Sequence, residues 1–247
     1  MTHHLAQLNV GRLVAETDDP RVAEFTNGRY TVGGRPATLI YKRVLIDELV
    51  REQGLDSPTV RAVGAGAVCM VNPFRCKMLH KKASLAVVSD ERQAGLLTAD
   101  QRQAVAAHVP WTRVVEERET THGDRRVSLV DFIGRNRERL VLKPNDEYGG
   151  KGIVLGWTVD DAAWHAAMQT ALAEPYIVQE RVVVPSEGWP AMVQGALHVG
   201  ERMLDTAPFL ADGTLMTGCL TRIATDPLLN VTAGGGSNVP TFLVEAR

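Results

Sequence analysis

The chemistry in this chain concentrates where a lysine closes an apolar run and a glycine cluster follows it. Lys143 ends Arg139-Leu140-Val141-Leu142-Lys143-Pro144, and Gly149-Gly150-Lys151-Gly152 leads into a second apolar run, Ile153-Val154-Leu155-Gly156-Trp157. A charged lysine at the end of an apolar strand needs a partner. A glycine-rich turn lets backbone N–H groups approach a phosphate without interference from Cβ atoms. Lys143 and the loop could therefore hold one triphosphate together. By itself the segment also reads as an ordinary hairpin with solvated lysines. The G-x-x-x-x-G-K-[ST] signature is absent and the glycines lie between strands instead of opening a helix, which disfavours a P-loop.

Further along, Tyr176-Ile177-Val178-Gln179-Glu180-Arg181-Val182 changes from apolar to polar at Gln179 and Glu180. An edge strand at a cleft can offer backbone N–H and C=O groups to adenine, while an amide or carboxylate there reaches the polar groups of a nucleotide. Glu180 as a plain surface charge is the competing reading. His80 and His122 have no partner spacing that supports catalysis.

The elements that must position these residues alternate between strand-like and helix-like patterns along the whole length, without an internal repeat, which predicts an α/β (α+β) fold. Asn27-Gly28 signals a tight hairpin, Thr38 to Tyr41 a strand, and residues 44 to 52 a helix. An apolar strand is expected at Ala67 to Val71, then a basic stretch containing Lys77, Lys81 and Lys82. Thr98-Ala99-Asp100-Gln101 has the form of a capping box for a helix to about His108, and Ser128-Leu129-Val130-Asp131 starts another. Strands are expected at Leu140 to Lys143, Ile153 to Trp157, Tyr176 to Val184, Met192 to Val199 and Gly218 to Ile223. A helix from Asp160 to about Leu172 interrupts them; Ala162, Ala163, Ala166, Ala167 and Ala171 would form its packing face.

Composition sets outer limits. The chain has 247 residues, 45% of them hydrophobic, enough for one large core or two modest ones. Its formal net charge of -2 gives no global reason to expect a nucleic-acid partner or an anionic membrane surface. Three cysteines, Cys69, Cys76 and Cys219, form no C-x-x-C pair and are expected to be reduced. With neither a signal-like start nor an apolar run of the ~20 residues a membrane span requires, the expectation is a soluble, cytoplasmic protein.

Taken jointly, Leu142-Lys143-Pro144, Gly149-Gly150-Lys151-Gly152-Ile153 and Val178-Gln179-Glu180-Arg181-Val182 resemble the ATP-grasp superfamily. Val71-Asn72-Pro73-Phe74-Arg75-Cys76-Lys77-Met78-Leu79-His80-Lys81-Lys82-Ala83 and Asn230-Val231-Thr232-Ala233-Gly234-Gly235-Gly236 resemble, more narrowly, bacterial circularly permuted ATP-grasp proteins related to glutathionylspermidine synthase. The resemblance implies two α/β subdomains sandwiching a nucleotide cleft. It places a partial N-terminal region at 1–66 and an ATP-grasp domain at 67–247, with a lid subdomain over about 80–178 and a second subdomain over about 179–247.

The same resemblance implies the site roles. Lys143 would contact the α- and β-phosphates of ATP, and Lys151 with Gly149, Gly150 and Gly152 would close over the β- and γ-phosphates as a lid. Lys81 would be the phosphate ligand from the basic cluster, and Gln179, Glu180 and Val182 would line the nucleotide. Arg222 would stabilise charge on a phosphoryl group in flight, because a guanidinium stays protonated and binds oxygen pairs in a fork. Asn230 would position metal or substrate, Asp205 would help at the metal, and Gly234, Gly235 and Gly236 would present N–H donors to an anionic substrate group.

Magnesium bridging the phosphates needs carboxylate oxygens in near-octahedral geometry. The Glu-x-Asn element that usually supplies them stands nowhere in this sequence. The expectation is that the chain starts inside the family's N-terminal region, with metal ligands supplied by a missing N-terminal segment or a partner chain. Three functions follow: an ATP-dependent carboxylate-amine (or thiol) ligase working through an acyl phosphate, a nucleotide-binding module without turnover, and a small-molecule kinase.

Overall fold

The computed structural model describes residues 22–228 and 236–242. It is a mixed α/β structure with several separate sheets. The chain divides into two compact units, one ending at His80 and the other beginning at Lys81, beyond the boundary expected at residue 66.

The first unit opens with a hairpin of β1 (Ala23–Thr26) and β2 (Arg29–Val32), extended by β3 (Arg35–Pro36). Its turn is the expected Asn-Gly pair, with φ of 51° at Asn27 and 74° at Gly28, the left-handed values that a twist-matched two-residue turn requires. Strand β4 (Leu39–Tyr41) pairs in parallel with β5 (Cys69–Val71), and the crossover between them carries α1 (Ile46–Gln53) and α2 (Pro58–Gly64). Helix α2 starts with Pro58 in its first turn and Ser57 as N-cap, a pairing whose missing N–H and side-chain acceptor suit a helix start. Ala23, Tyr30, Ala62 and Val68 form the core of this unit, and Tyr30 Oη bonds Thr59 Oγ1 within it at 2.9 Å. A short helix, α3 (Cys76–His80), closes the unit.

The second unit begins with α4 (Ala83–Ser89), a 3-10 turn at Glu91–Leu96, and α5 (Ala99–His108). Both bonds of the predicted capping box are present: Gln101 N–H donates to Thr98 Oγ1 at 3.3 Å, and Thr98 N–H donates to Gln101 Oε1 at 2.9 Å. Then come β6 (Thr112–Val114), the hairpin of β7 (Glu119–His122) and β8 (Arg125–Ser128), and α6 (Leu129–Arg135), capped by Ser128 as expected. Strands β9 (Leu140–Pro144) and β10 (Val154–Leu155), helix α7 (Asp161–Ala173) and strand β11 (Tyr176–Glu180) complete a sheet of order β10-β9-β11-β6, antiparallel throughout.

Alternation along β9 and β11 sends Leu140, Leu142 and Val178 to one face, where they pack with Leu129, Ile133, Trp164, Met168 and Ala171 of α6 and α7. The alanine-rich face expected to pack α7 is instead turned to solvent at Ala162, Ala163 and Ala166. Trp164 and Met168 bury far more apolar area than alanine and take the sheet-facing side at i and i+4, joined at i+7 by Ala171 of the expected face. Gly156, in the 3-10 turn after β10, sits so close to the 3-10 turn at Arg137–Arg139 that a Cβ there would lie 1.9 Å from the Arg137 carbonyl oxygen.

A second sheet of this unit has the order β12-β13-β14-β15, from β12 (Ser186–Val193), β13 (Ala196–Ala211), β14 (Leu215–Ala224) and β15 (Gly236–Val239). The single strand expected at Met192 to Val199 is two strands around a turn at Gln194 and Gly195, both at positive φ. The sequence marks this turn with Gln194-Gly195 between Met192-Val193 and Ala196-Leu197, a break that the single-strand expectation ran through. All three cysteines are free, with Cys69 exposed. Among the described residues, no helix is long and apolar enough to cross a membrane.

Candidate functional site

Lys143 is placed by strand alternation. Leu140 and Leu142 point into the helical core, so Lys143 emerges on the opposite face of the central strand β9, paired with Ile177 and diagonal to Gln179, two residues along β11 on the same face. Its Nζ donates to Gln179 Oε1 at 2.7 Å. Gln179 in turn donates through Nε2 to Thr112 Oγ1 at 2.9 Å, and the Thr112 hydroxyl donates to the Pro110 carbonyl at 2.8 Å. Gln179 and Thr112 are both buried.

Burial pushes the Lys143 ammonium below the usual lysine range, and the neighbouring charge of Lys82 pushes it further in the same direction. Among the described residues, no carboxylate pairs with Lys143, and its other two N–H groups have no partner. Lys82 stands at the start of α4, which packs on the same sheet against β6 and β11. Its backbone N–H donates to Asn145 O at 3.0 Å, and the next N–H, of Ala83, donates to Asn145 Oδ1 at 2.9 Å. Asn145, directly after β9, thus ties α4 to the strand that carries Lys143. Lys82 also lies below the ordinary lysine range, chiefly through burial, with Asp146 and Glu147 acting against it.

The loop from Asn145 to Ile153 joins β9 and β10 as a glycine-rich hairpin, as expected from sequence. Gly149, Gly150 and Gly152 have φ of 67°, 81° and 71°, a region closed to most side chains. At Gly152 there is also no room, since a Cβ would stand 3.0 Å from Pro144 Cγ and 3.2 Å from Tyr176 Oη. Lys151 is exposed and pairs with Glu147 at 3.5 Å. Lys82 Nζ donates to the Glu147 carbonyl at 2.5 Å.

The remaining expected residues fall into separate places. Lys81 reaches Asp146 on the loop at 3.2 Å, while the neighbouring Lys82 is the one whose charge bears on Lys143. Strand β11 is not an edge strand: it pairs with β9 on one side and β6 on the other, so its backbone groups are taken within the sheet. Its apolar-to-polar change marks the end of the strand and not the end of the sheet. Glu180 points to the face away from Lys143, where His122 Nε2 meets its Oε1 at 2.8 Å and Arg139 approaches at 3.6 Å. Val182 is exposed in the segment 181–185, which leaves the sheet, and Arg181 there lies over the Trp157 ring at 4.1 Å.

Arg222 and Asp205 face each other across β13 and β14, with Arg222 Nε donating to Asp205 Oδ1 at 2.9 Å and Nη2 to Oδ2. The hydrogen bonds to Asp205 raise the Arg222 guanidinium above its usual value. Gly236 pairs with Ala224 at the edge of the same sheet. Asn230, Gly234 and Gly235 lie outside the described residues. No hydrogen bond or ion pair among the described residues joins the Asp205–Arg222 pair to Lys143.

Thr112, Asn145 and the specific choice of Lys82 were not legible in sequence. Thr112 and Asn145 reach the lysines through pairings 67 and 62 residues apart, between Thr112 and Gln179 and between Ala83 and Asn145. Chemically, the cluster offers a partly desolvated pair of cations beside backbone that can approach closely. That arrangement suits an anion with several oxygens, such as a polyphosphate. The described acidic groups fit magnesium less well: none cluster in threes with His or Cys, and both oxygens of Asp205 are engaged by Arg222.

Compared with known proteins, the chain matches no family model and has no significant match among curated proteins.

Proposed function

We propose that this chain binds ATP in the manner of a circularly permuted ATP-grasp protein and acts as an ATP-dependent carboxylate-amine (or thiol) ligase. One observation carries the nucleotide reading: Lys143 and Lys82 are two partly buried like charges, and Lys143 has only a neutral amide as partner. Desolvated cations left uncompensated are unfavourable, and a bound polyanion removes that cost. The adjoining glycine loop supplies N–H groups that can follow the phosphates.

In this reading Lys143 and Lys82 hold the α- and β-phosphates, with Lys81 beside them. The 149–152 loop with Lys151 covers the β- and γ-phosphates, and segment 181–182, beyond the end of β11, borders the base. The ligase reaction phosphorylates a carboxylate on oxygen, with ADP leaving; an amine or thiol then attacks the acyl carbon and phosphate leaves. Arg222 and Asn230 are the residues proposed for the transferring group, and Gly234, Gly235 and Gly236 for the acceptor anion. Asp205 and Asn230 are the residues proposed to hold magnesium, which would supply charge neutralisation on the triphosphate.

A second reading, a nucleotide-binding module without turnover, draws on the Asp205 carboxylate being occupied by Arg222. Titration calorimetry with ATP, followed by ADP release across a panel of acids and amines, separates the two. ADP release only with both acid and amine supports the ligase. Binding without release favours the module, and a stable phosphorylated acceptor with no amide identifies a kinase. Lys143→Ala should weaken ATP binding by at least tenfold; unchanged affinity would refute the site.

A further inference from the structure

The hydrogen-bond chain behind Lys143 has one direction only. An ammonium can only donate, so Gln179 must present its carbonyl oxygen to Lys143. The Thr112 hydroxyl gives its proton to the Pro110 carbonyl and therefore meets Gln179 as an acceptor, which fixes the amide NH2 toward it. Both ends of the Gln179 amide are satisfied in this orientation and in no flipped one. The side-chain members beyond Lys143 are buried, so water does not compete for them.

The chain is also neutral. A glutamate has almost the same shape as glutamine, and at position 179 it would satisfy the buried ammonium better, since charge-assisted bonds are roughly twice as strong as neutral ones. An amide instead holds the Lys143 nitrogen in place and leaves its charge uncancelled.

We infer that Thr112 and Gln179 are positioning residues that fix the Lys143 ammonium while keeping it unpaired for an incoming polyphosphate, and that the neutrality of Gln179 determines whether this site accepts an anion. The inference deepens the proposed ATP site and rests on it for its ligand. The statement about Lys143 itself does not depend on that ligand.

The two parts separate experimentally in the full chain. Calorimetry with inorganic tripolyphosphate measures anion affinity. NMR of 15N-labelled lysine follows the Lys143 Nζ titration, with Lys82 as the charged group that bears on it and Asp146 and Glu147 bearing in turn on Lys82. Gln179→Glu should lower tripolyphosphate affinity at least tenfold and move the Lys143 titration upward in pH. An upward-moved Lys143 titration together with loss of binding is not what damage to a merely structural residue produces. Thr112→Val should weaken binding severalfold, and Thr112→Ser should restore it.

Wild-type affinity in Gln179→Glu, or an unmoved Lys143 titration, would overturn the inference. So would a Thr112→Ser variant as impaired as Thr112→Val. Absence of tripolyphosphate binding in the wild type would count against the proposed ATP site. The direction of the Lys143 titration in Gln179→Glu would still decide the positioning role.

Discussion

At the residue scale, Lys143 and Lys82 tie anion binding to pH. Both are held below the ordinary lysine value of 10.5, mainly by burial. An anion needs the protonated forms, so tripolyphosphate affinity should fall as pH rises through a window that opens below 10.5, before exposed lysines titrate. For the empty protein the sign reverses: the unfolded chain binds more protons than the folded one in that window, so the contribution of these lysines to stability improves with rising pH. Calorimetry across pH 7 to about 10.5, with urea melts of the unliganded protein alongside, checks both; affinity flat over that range would dismiss the buried pair as the anion site. Sequence identified Lys143 because an apolar strand ending in lysine is a local pattern. It did not single out Lys82 over Lys81, because that choice depends on how Asn145 anchors the start of α4.

At the element scale, α4 and the following 3-10 turn are joined to β6 and β7 by ions. Arg113 is buried and donates to Glu91 at 2.8 Å, to Thr120 Oγ1 at 2.7 Å and to the Ser89 carbonyl at 2.8 Å; Arg118 reaches Asp90 at 2.6 Å. Burial by itself would raise both carboxylates. The bonds of Asp90 to Arg92, with Arg118 and Arg113 nearby, outweigh it, and Glu91's backbone bond, Arg113 and Thr120 do the same there, so both lie below their ordinary values of 3.8 and 4.5.

The stability they contribute is present above those ordinary values and lost as pH falls through the lowered ones. Arg113→Met should cost roughly 3 kcal/mol at neutral pH, the scale for breaking a buried pair, and should make acid destabilisation shallower. Urea titrations at pH 7 and about pH 3 would show it; an unchanged acid dependence would mean the network is not what holds Glu91 down. None of this was legible in sequence, because Arg113 and Arg118 meet Glu91 and Asp90 across 22 and 28 residues. Helix starts were legible, because caps at Thr98, Ser128 and Asp160 act within a few residues. The strand boundary at Gln194 also carried a local signal, the Gln194-Gly195 pair between apolar flanks, and the single-strand expectation ran through it.

At the scale of the whole molecule, each unit has its own core, centred on Tyr30 and Ala62 in one and on Trp164 and Leu142 in the other. All four tryptophans, at 111, 157, 164 and 189, belong to the second unit. Leu49, buried in the first, can therefore be truncated to alanine at a cost of roughly 2–5 kcal/mol, and tryptophan fluorescence should melt as in the wild type while circular dichroism shows an earlier transition. A tryptophan transition that shifted equally would show the units unfolding as one. The α/β class followed from alternating patterns that are local; the separation at His80 follows from contacts at long range and left no break in composition.

Gly156 turns a packing detail into a statement about heredity. With its Cα pressed against the Arg137 carbonyl, even a methyl group is excluded, and alanine there should cost roughly 4 kcal/mol or more, an exceptional loss for one substitution. A saturation library at this codon, sorted for folded protein, should return glycine alone; survival of alanine would show that the two turns can move apart. Gly64 and Gly95 have open space around them and are not at positive φ, so variation should accumulate there while codon 156 stays fixed, whatever reaction the protein performs.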